Sequence, residues 1–207
     1  MPSRLPRLRR SLVLVVFVML AALLTGCGPQ WQVVRQAAPN PLANQRTFAV
    51  LPINFAGLTV GEMAEADYLA RKDPEQRESF EADKRAVNEE FTTALVEGAS
   101  DGGINVVLAK GPGSAPFEIR PMITFIEPGF YVGLVSKPSE VRMTLLITMP
   151  DGRIIDEILM VHGTDSARSG FSIGGISLNP SSGGRLRKDG EKLGEIVAEY
   201  LRERVGG

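Results

Sequence analysis

Residues 141–162 read VRMTLLITMPDGRIIDEILMVH, which is the pattern of two strands joined by a turn. From Val141 to Met149, apolar residues largely alternate with Arg and Thr, which is the period of a strand with one buried face. The turn signal Pro150-Asp151-Gly152 comes next, and the chain then runs back through residues that favour strands. This stretch predicts an antiparallel β-hairpin.

Three further strands are predicted before the hairpin. Thr47 to Ile53 is mostly apolar, which indicates an interior strand with both faces buried. Ile104 to Ala109 indicates a second strand. From Phe117 to Phe125, apolar and polar residues alternate, and Pro121 within this run predicts a sheet edge or a bulge.

Three helices are predicted from their start signals. Thr59 and Glu62 have the spacing of a capping box, which predicts a helix over residues 60–71. Asp73-Pro74-Glu75-Gln76 carries the same signal for a second helix, which we expect to end at Gly98. Asp189 is the expected N-cap of a last helix. The apolar faces of the second and last helices comprise Phe80, Val87, Phe91 and Leu95, and Leu193, Val197, Tyr200 and Leu201.

The order of elements is strand, two helices, strand, β-meander and helix. This order predicts an α+β fold, in which a two-layer domain has a mostly antiparallel sheet with helices packed on one face. We place this single domain at residues 47–207, with a Ser/Gly-rich loop at 169–184. Residues 27–46 are rich in Pro and small polar residues and predict a tether. Within it, Trp31 to Val34 is expected to lie against lipid headgroups or the domain, and the alternative is a short ordered piece of the tether.

The N-terminal residues have the composition of a secretory signal. Four arginines and no acidic residue lie in the first ten positions. The apolar run that follows, Ser11 to Leu24, has 14 residues, fewer than the about 20 that span a membrane. Residues 1–26 are therefore predicted to be a signal peptide, and the alternative is an uncleaved membrane helix or a buried core helix.

The end of this run, Leu24-Thr25-Gly26-Cys27, resembles the lipobox of bacterial lipoproteins, and Cys27 is the only cysteine of the chain. The resemblance implies that Cys27 becomes an acylated N-terminus and attaches the protein stably to a lipid bilayer. It also implies an envelope protein at the outer membrane, facing the periplasm, because Gly28 rather than Asp follows the cysteine.

The charge balance bears on the class of partner. Without the four N-terminal arginines, 19 Lys and Arg remain against 24 Asp and Glu, a net charge of −5. A mildly acidic protein is poorly suited to phosphate backbones, so we expect no nucleic-acid partner.

The segments Phe48 to Ile53 and Gly103 to Leu108, with a helix between them, resemble the opening of TolB amino-terminal-like domains. These domains recur in envelope lipoproteins. The resemblance covers residues 47–109 and 141–203, and the helix predicted at 60–71 departs from it. It implies a domain that binds partners through its surfaces, so no functional residue transfers to this chain.

One catalytic motif occurs, because Gly170-Phe171-Ser172-Ile173-Gly174 matches the G-x-S-x-G nucleophile elbow. That motif needs a strand before it, a helix after it, and Asp and His later in the chain. The only histidine, His162, precedes Ser172, and no helix-forming run follows. We expect a flexible loop and no catalytic residue. One His and one acylated Cys cannot build a usual zinc site, so neither a metal nor a cofactor is expected.

An anion-binding site is predicted at Gly183, Gly184, Arg185 and Arg187, which lead into the last helix. Backbone N–H groups of a Gly-rich turn, a helix N-terminus and nearby cations suit a phosphate or a carboxylate. The alternative is a solvated loop whose cations keep it soluble.

A partner surface is predicted between the strands, where Phe130, Tyr131, Val132, Leu134 and Val135 form an apolar stretch. The alternative is a buried sheet strand. We expect a membrane-anchored envelope lipoprotein, a non-enzymatic accessory or assembly factor that docks an envelope protein. The other hypothesis is a periplasmic lipoprotein that binds a ligand or lipid, which predicts a deep apolar cavity.

Overall fold

The structure is a computed structural model that describes residues 30–111, 113–132, 135–164, 171–173, 176–178 and 182–206. The main sheet has eight strands, namely β1 (Gln32–Gln36), β2 (Thr47–Val50), β3 (Thr59–Val60), β4 (Met63–Ala64), β5 (Asn105–Leu108), β6 (Glu118–Glu127), β9 (Glu140–Thr148) and β10 (Ile154–His162). Two small hairpins pair β7 (Phe130–Val132) with β8 (Val135–Lys137), and β11 (Phe171–Ile173) with β12 (Ile176–Leu178). The described helices are α1 (Glu65–Ala70), α2 (Pro74–Asp101) and α3 (Ser182–Gly206).

The main sheet is mixed, and its long ladders are antiparallel. Six of its strands follow the order β1-β10-β9-β6-β2-β5, and β3 and β4 lie off this path, where β3 pairs with β4 and β6. Strands β1, β10, β9 and β6 pair antiparallel, and β2 pairs parallel with β5 and β6. Helices α2 and α3 pack against each other and against the sheet. The chain therefore has the predicted α+β fold.

The hairpin at 141–162 is confirmed as β9 and β10, which lie near the middle of the sheet. The turn is closed by the Met149 N–H, which donates to the Arg153 carbonyl at 2.9 Å. Gly152 has a φ of +87°, a conformation that glycine adopts without steric cost. The inward side chains of β9 (Val141, Met143, Leu145 and Ile147) are almost completely buried.

Strand β2 is interior, as predicted, because β5 and β6 flank it. Pro121 is not at a sheet edge, since β6 lies between β9 and β2. On one side of β6, the parallel neighbour is β2 before Pro121 and β3 after it. The predicted bulge lies shortly after Pro121, between Ile123 and Phe125, in the pairing of β6 with β9. The Pro121 carbonyl accepts a hydrogen bond from the Asn54 N–H at 2.9 Å, so the strand keeps a partner there.

The start of α2 is confirmed and its predicted end is wrong. The Asp73 side chain accepts from the Gln76 N–H at 2.8 Å, with Pro74 at the first helical position. The helix continues past Gly98 to Asp101. Gly98 is instead a packing position, because a Cβ there would lie 2.9 Å from the Cβ of Ala198 in α3.

Two other predicted helix starts are wrong. Thr59 does not cap a helix, because it lies in β3, where its hydroxyl donates to the Thr124 carbonyl at 3.1 Å. Helix α1 begins only at Glu65. Asp189 is not an N-cap, because α3 begins at Ser182 and Asp189 is a buried residue within it. Much of the C-terminal part of the predicted loop at 169–184 is therefore ordered structure, including β12 and the first turn of α3.

The predicted tether is wrong from Trp31 onward, because Trp31–Gly207 forms one unit. Trp31 is only 9% exposed and packs edge-to-face on Tyr200, with ring centroids 5.5 Å apart. Strand β1 pairs with β10, and Leu42 is fully buried. The domain therefore begins at Trp31 rather than at Thr47.

A buried carboxylate, Asp156, explains why this N-terminal segment is ordered. It accepts hydrogen bonds from the Ala37 N–H at 3.0 Å, the Tyr200 hydroxyl at 2.8 Å and the Arg204 Nε at 2.7 Å. A buried charge is tolerated when it is paired and hydrogen-bonded in this way. The network joins residues 31–46 to β10 and α3.

Candidate docking face

The main sheet has a face opposite the helices, which we call the open face. Paired residues on neighbouring strands project their side chains to the same side of a sheet, so the register identifies its members. Three rows of side chains cross this face, namely Val161, Arg142 and Phe125; Leu159, Thr144 and Met122; and Glu157, Leu146 and Arg120.

The centre of the open face is apolar. Leu159 is 38% exposed and Val161 is 59% exposed, and Leu146 and Met122 are half-buried. Large apolar side chains that reach solvent on adjacent strands are typical of an interaction surface.

Arginines border this apolar centre on two sides. The Arg142 guanidinium lies over the Phe125 ring, 4.3 Å from its centroid, and its Nε donates to Glu140 at 2.6 Å. On the other side, Arg120 is about one-third exposed. An apolar centre with aromatic and arginine neighbours is the composition found in protein interfaces.

Glu118 holds Arg120 in place at the end of the open face. Its carboxylate is fully buried and accepts from Arg120 Nη2 at 2.6 Å and from the Gly113 N–H at 2.8 Å. Burial alone would raise the pKa of Glu118, but the hydrogen bonds from Gly113 and Arg120 outweigh it and lower that pKa. Glu118 is therefore a fixed anion that orients a cation on the open face.

The edge of the sheet at β1 adds two exposed valines. Val33 is 45% exposed and Val34 is 51% exposed. The strand bulges between Val33 and Arg35, and a bulge at a sheet edge limits pairing with further strands.

Sequence reasoning missed the open face, although a signal was present. In a half-buried hairpin, the outward positions are expected to be polar. Here the outward positions include Leu146, Leu159 and Val161. An excess of apolar residues at outward positions could have identified this face.

The stretch predicted as a partner surface forms a separate hairpin. Phe130, Tyr131 and Val132 lie in β7, which pairs with Val135 and its neighbours in β8, and the pair is not part of the main sheet. Leu134 lies outside the described residues. The turn into β7 requires Gly129, since a Cβ there would lie 2.6 Å from the Lys137 carbonyl oxygen.

The residues of the predicted anion site are not brought together on an open surface. Gly183 and Gly184 belong to the first turn of α3 rather than to a loop. Arg185 is 3% exposed, and its Nη2 donates to the Pro128 carbonyl at 3.1 Å. The Asp83 carboxylate lies against Gly183, so closely that a Cβ at position 183 would overlap it. Arg187 also interacts electrostatically with Asp83. An external anion would therefore compete with Asp83.

A third buried carboxylate, Asp189, joins α3 to the ends of two strands. It accepts from the Ser139 and Thr164 hydroxyls at 2.6 Å each, and His162 Nε2 lies 3.8 Å from it. Burial raises the pKa of Asp189 and lowers the pKa of His162. In a catalytic triad the histidine stands between the acid and the hydroxyl. Here the acid occupies the centre, so the cluster is a structural junction.

Ser172 of the G-x-S-x-G match lies in a short strand. It is the middle residue of β11 and pairs with Ser177 of β12. A nucleophile elbow places its serine on a sharp turn between a strand and a helix, which differs from this position. Gly170 and Gly174 lie outside the described residues.

Two clefts open to solvent on the helical side of the domain. One, of about 190 Å³, is lined by residues including Lys72, Ser79 and Asp83. The other, of about 430 Å³, lies between α2 and α3 and is lined by residues including Glu97 and Glu195. Both are lined largely by polar and charged groups, and neither is a deep apolar cavity.

Cys27 lies outside the described residues. Among the helices that the structure describes, none is long and apolar enough to cross a bilayer. Within the same residues, no three His, Cys, Asp or Glu side chains are grouped so that they could hold a metal ion.

The sequence matches no protein-family model and no curated protein. Solved structures with a similar fold include the following two, both at low identity. One is a PelC dodecamer from Paraburkholderia phytofirmans, with 12% identity, 80% of this chain and 96% of that chain covered, and a TM-score of 0.43. The other is the hypothetical protein CT253 from Chlamydia trachomatis, with 12% identity, 76% and 98% covered, and a TM-score of 0.43.

Proposed function

We propose that this chain is a lipid-anchored envelope lipoprotein that docks a protein partner on its open face and has no catalytic role. Acylation of Cys27 would provide the anchor. The partner would be another envelope protein, so that the chain acts as an accessory or assembly factor.

The observation that carries this proposal is the apolar centre of the open face. Leu159 and Val161 are large apolar side chains that reach solvent on an outward sheet face. Leaving them exposed costs free energy that a partner would recover by covering them. The flanking Arg142 and Arg120 provide the polar border that such a contact needs.

Site-specific crosslinking in intact cells tests the docking role. A photoreactive amino acid replaces Val161 on the open face, and in a matched control it replaces Glu90, an exposed residue of α2 in the helical layer. We expect one adduct of defined mass from position 161 and none from position 90. Leu159→Asp in the Val161-substituted chain should abolish the adduct, since it places a charge in the apolar centre.

Two results would contradict the docking role. One is equal crosslinking from positions 161 and 90, and the other is an adduct that Leu159→Asp does not affect. Urea denaturation of the Leu159→Asp chain serves as a control, because a partly exposed position should tolerate the substitution with little loss of stability. Mass spectrometry of the N-terminal peptide tests acylation of Cys27 separately.

A further inference from the structure

We propose that one end of the domain lies directly on the phospholipid bilayer. This end, here called the anchor end, is where β6 and β10 finish at Glu127 and His162 and β9 begins at Glu140. The inference rests on the proposed acylation of Cys27, and it adds an orientation to it. The occupant of the surface is the lipid headgroup layer.

The chain between the anchor and the domain is short. Trp31 is four residues after Cys27. Four residues span at most about 14 Å when fully extended. The predicted tether at 27–46 would have allowed the domain to stand well away from the membrane. With the domain starting at Trp31, the attachment point must lie close to the headgroups.

The attachment point, at Trp31, is fixed in the fold. Trp31 is buried against Tyr200, and β1 is held in the ladder with β10. An anchor attached to a packed residue restricts the orientation of the whole domain, whereas a flexible linker would not.

The chain before β1 leads toward the anchor end. Strand β1 is antiparallel to β10, and Gln32 pairs with Leu159. Residues before Gln32 therefore lead toward His162, the last residue of β10. The same end of the sheet carries the β7–β8 hairpin, because that hairpin connects β6 to β9.

The anchor end carries cations as well as acidic groups. Its two acidic strand ends, Glu127 and Glu140, are paired with Lys137 and Arg142. The N-terminal half of α3 reaches the anchor end, because Asp189 is bonded to Ser139 and Thr164. Arg187 and Lys188, in that half, are exposed. Cations near a membrane surface are attracted by anionic lipids.

Fluorescence of Trp31 tests the inference without altering the domain, because Trp31 is the only tryptophan of the chain. The acylated full-length protein is reconstituted in vesicles of phosphatidylethanolamine and phosphatidylglycerol. Nitroxide groups are placed on the lipid headgroup or deep in the acyl chain. Trp31 packs on Tyr200, which lies about 18 Å along α3 from Lys188. We therefore expect headgroup nitroxides to quench Trp31 partly and deep nitroxides to quench it less.

A variant with a longer connection provides the matched control. A Gly/Ser insertion of about 30 residues between Pro29 and Gln30 has a root-mean-square length of about 30 Å. It leaves residues 31–207 unchanged, so the domain should fold as before. We expect the headgroup quenching of Trp31 to be lost in this variant. Equal quenching with and without the insertion would overturn the inference.

A pair of labelled variants tests which end faces the lipid. Lys188→Cys marks the anchor end. Arg202 lies about 21 Å along α3 from Lys188. Its side chain donates to the Gly98 carbonyl in the last turn of α2. Asp101→Cys, in that same last turn, therefore marks the opposite end. A fluorophore at position 188 should be quenched by headgroup nitroxides and one at position 101 should not. Stronger quenching at position 101 would reverse the orientation and overturn the inference.

Failure of the anchor and failure of the orientation give different results. If Cys27 is not acylated, the protein will not float with vesicles, and both the anchor and the inference are wrong. If the protein floats but neither Trp31 nor position 188 is quenched, the anchor stands and the orientation is wrong.

Discussion

Single carboxylates hold the ends of this domain together, and each is buried with specific donors. Asp156 joins the N-terminal segment to α3, and Asp189 joins the start of α3 to the strand ends. Glu118 binds the loop at Gly113 and orients Arg120. An unpaired buried charge is costly, so each carboxylate specifies the position of the groups around it.

Glu118→Gln should make the stability of the protein less dependent on acid pH. The folded protein lowers the pKa of Glu118 below its ordinary value of 4.5, so folding favours the carboxylate. This contribution is complete above pH 4.5 and is lost as the pH falls through the lowered pKa. We expect Glu118→Gln to cost about 2 kcal/mol at neutral pH, the usual value for hydrogen bonds to a charged group.

Urea denaturation of both proteins between neutral pH and pH 2.5 measures this difference. The gap between the wild-type and Glu118→Gln free energies of unfolding should shrink as the pH falls. A gap that is constant over this range would show that the ionisation of Glu118 does not contribute. Glu90→Gln is a suitable control, because Glu90 is exposed on α2.

At the scale of elements, the contact between α2 and α3 depends on glycines. Gly190 and Gly194 of α3 face the backbone of α2, and Gly98 of α2 faces Ala198 of α3. A glycine in a helix interior costs about 1 kcal/mol relative to alanine. The close approach of the two helices offsets that cost, because the buried faces of both can then pack together.

Gly194→Ala should destabilise the protein even though alanine favours a helix. The new Cβ would overlap the Phe91 carbonyl oxygen and lie 2.9 Å from the Cβ of Ala94. Overpacking of a core contact costs about 1–3 kcal/mol, and the gain in helix propensity offsets about 1 kcal/mol of it, so we expect a net loss of up to about 2 kcal/mol. Thermal or urea denaturation measures this loss of stability.

Gly206→Ala is the control. No atom lies within 4 Å of the new Cβ there, so this substitution should be neutral or slightly stabilising. Equal effects of the two substitutions would contradict this account.

The folded unit Trp31–Gly207 is closed by contacts between its first and last segments. Asn40 donates to the Arg204 carbonyl at 2.7 Å, and the Asn44 N–H donates to the Val205 carbonyl at 3.0 Å. Together with Trp31 on Tyr200, these bonds hold residues 31–46 against the core, in which Trp31 and Leu42 are buried. The two ends of the folded unit are therefore stabilised by each other.

A chain that begins at Thr47 should be much less stable than one that begins at Gln30. The shorter chain loses the Trp31 side chain from the core and the Ala37 N–H from Asp156. Removing a buried aromatic side chain alone costs about 3–5 kcal/mol. We expect the shorter chain to unfold at lower urea concentration or to aggregate. Equal urea midpoints for the two chains would show that residues 30–46 are a tether after all.

The sequence was informative wherever a structure depends on neighbouring residues. The hairpin at 141–162, the capping box at Asp73 and the buried faces of α2 and α3 were predicted correctly. Each depends on periodicity or on a short hydrogen-bonded motif. The capping pattern at Thr59 failed because β6 offered Thr59 a strand partner, which no local pattern could show.

The α+β fold class follows from the sequence alone, since alternation and helical periodicity report which side chains must be buried. The sequence also carries the lipobox-like Leu24-Thr25-Gly26-Cys27. The start of the domain, by contrast, depends on tertiary contacts, because the partners of Trp31 and Ala37 lie more than 100 positions away. The tertiary structure also decided that Leu159 and Val161 face outward together. Contacts between distant segments leave no local pattern, so they appear only when the chain is folded.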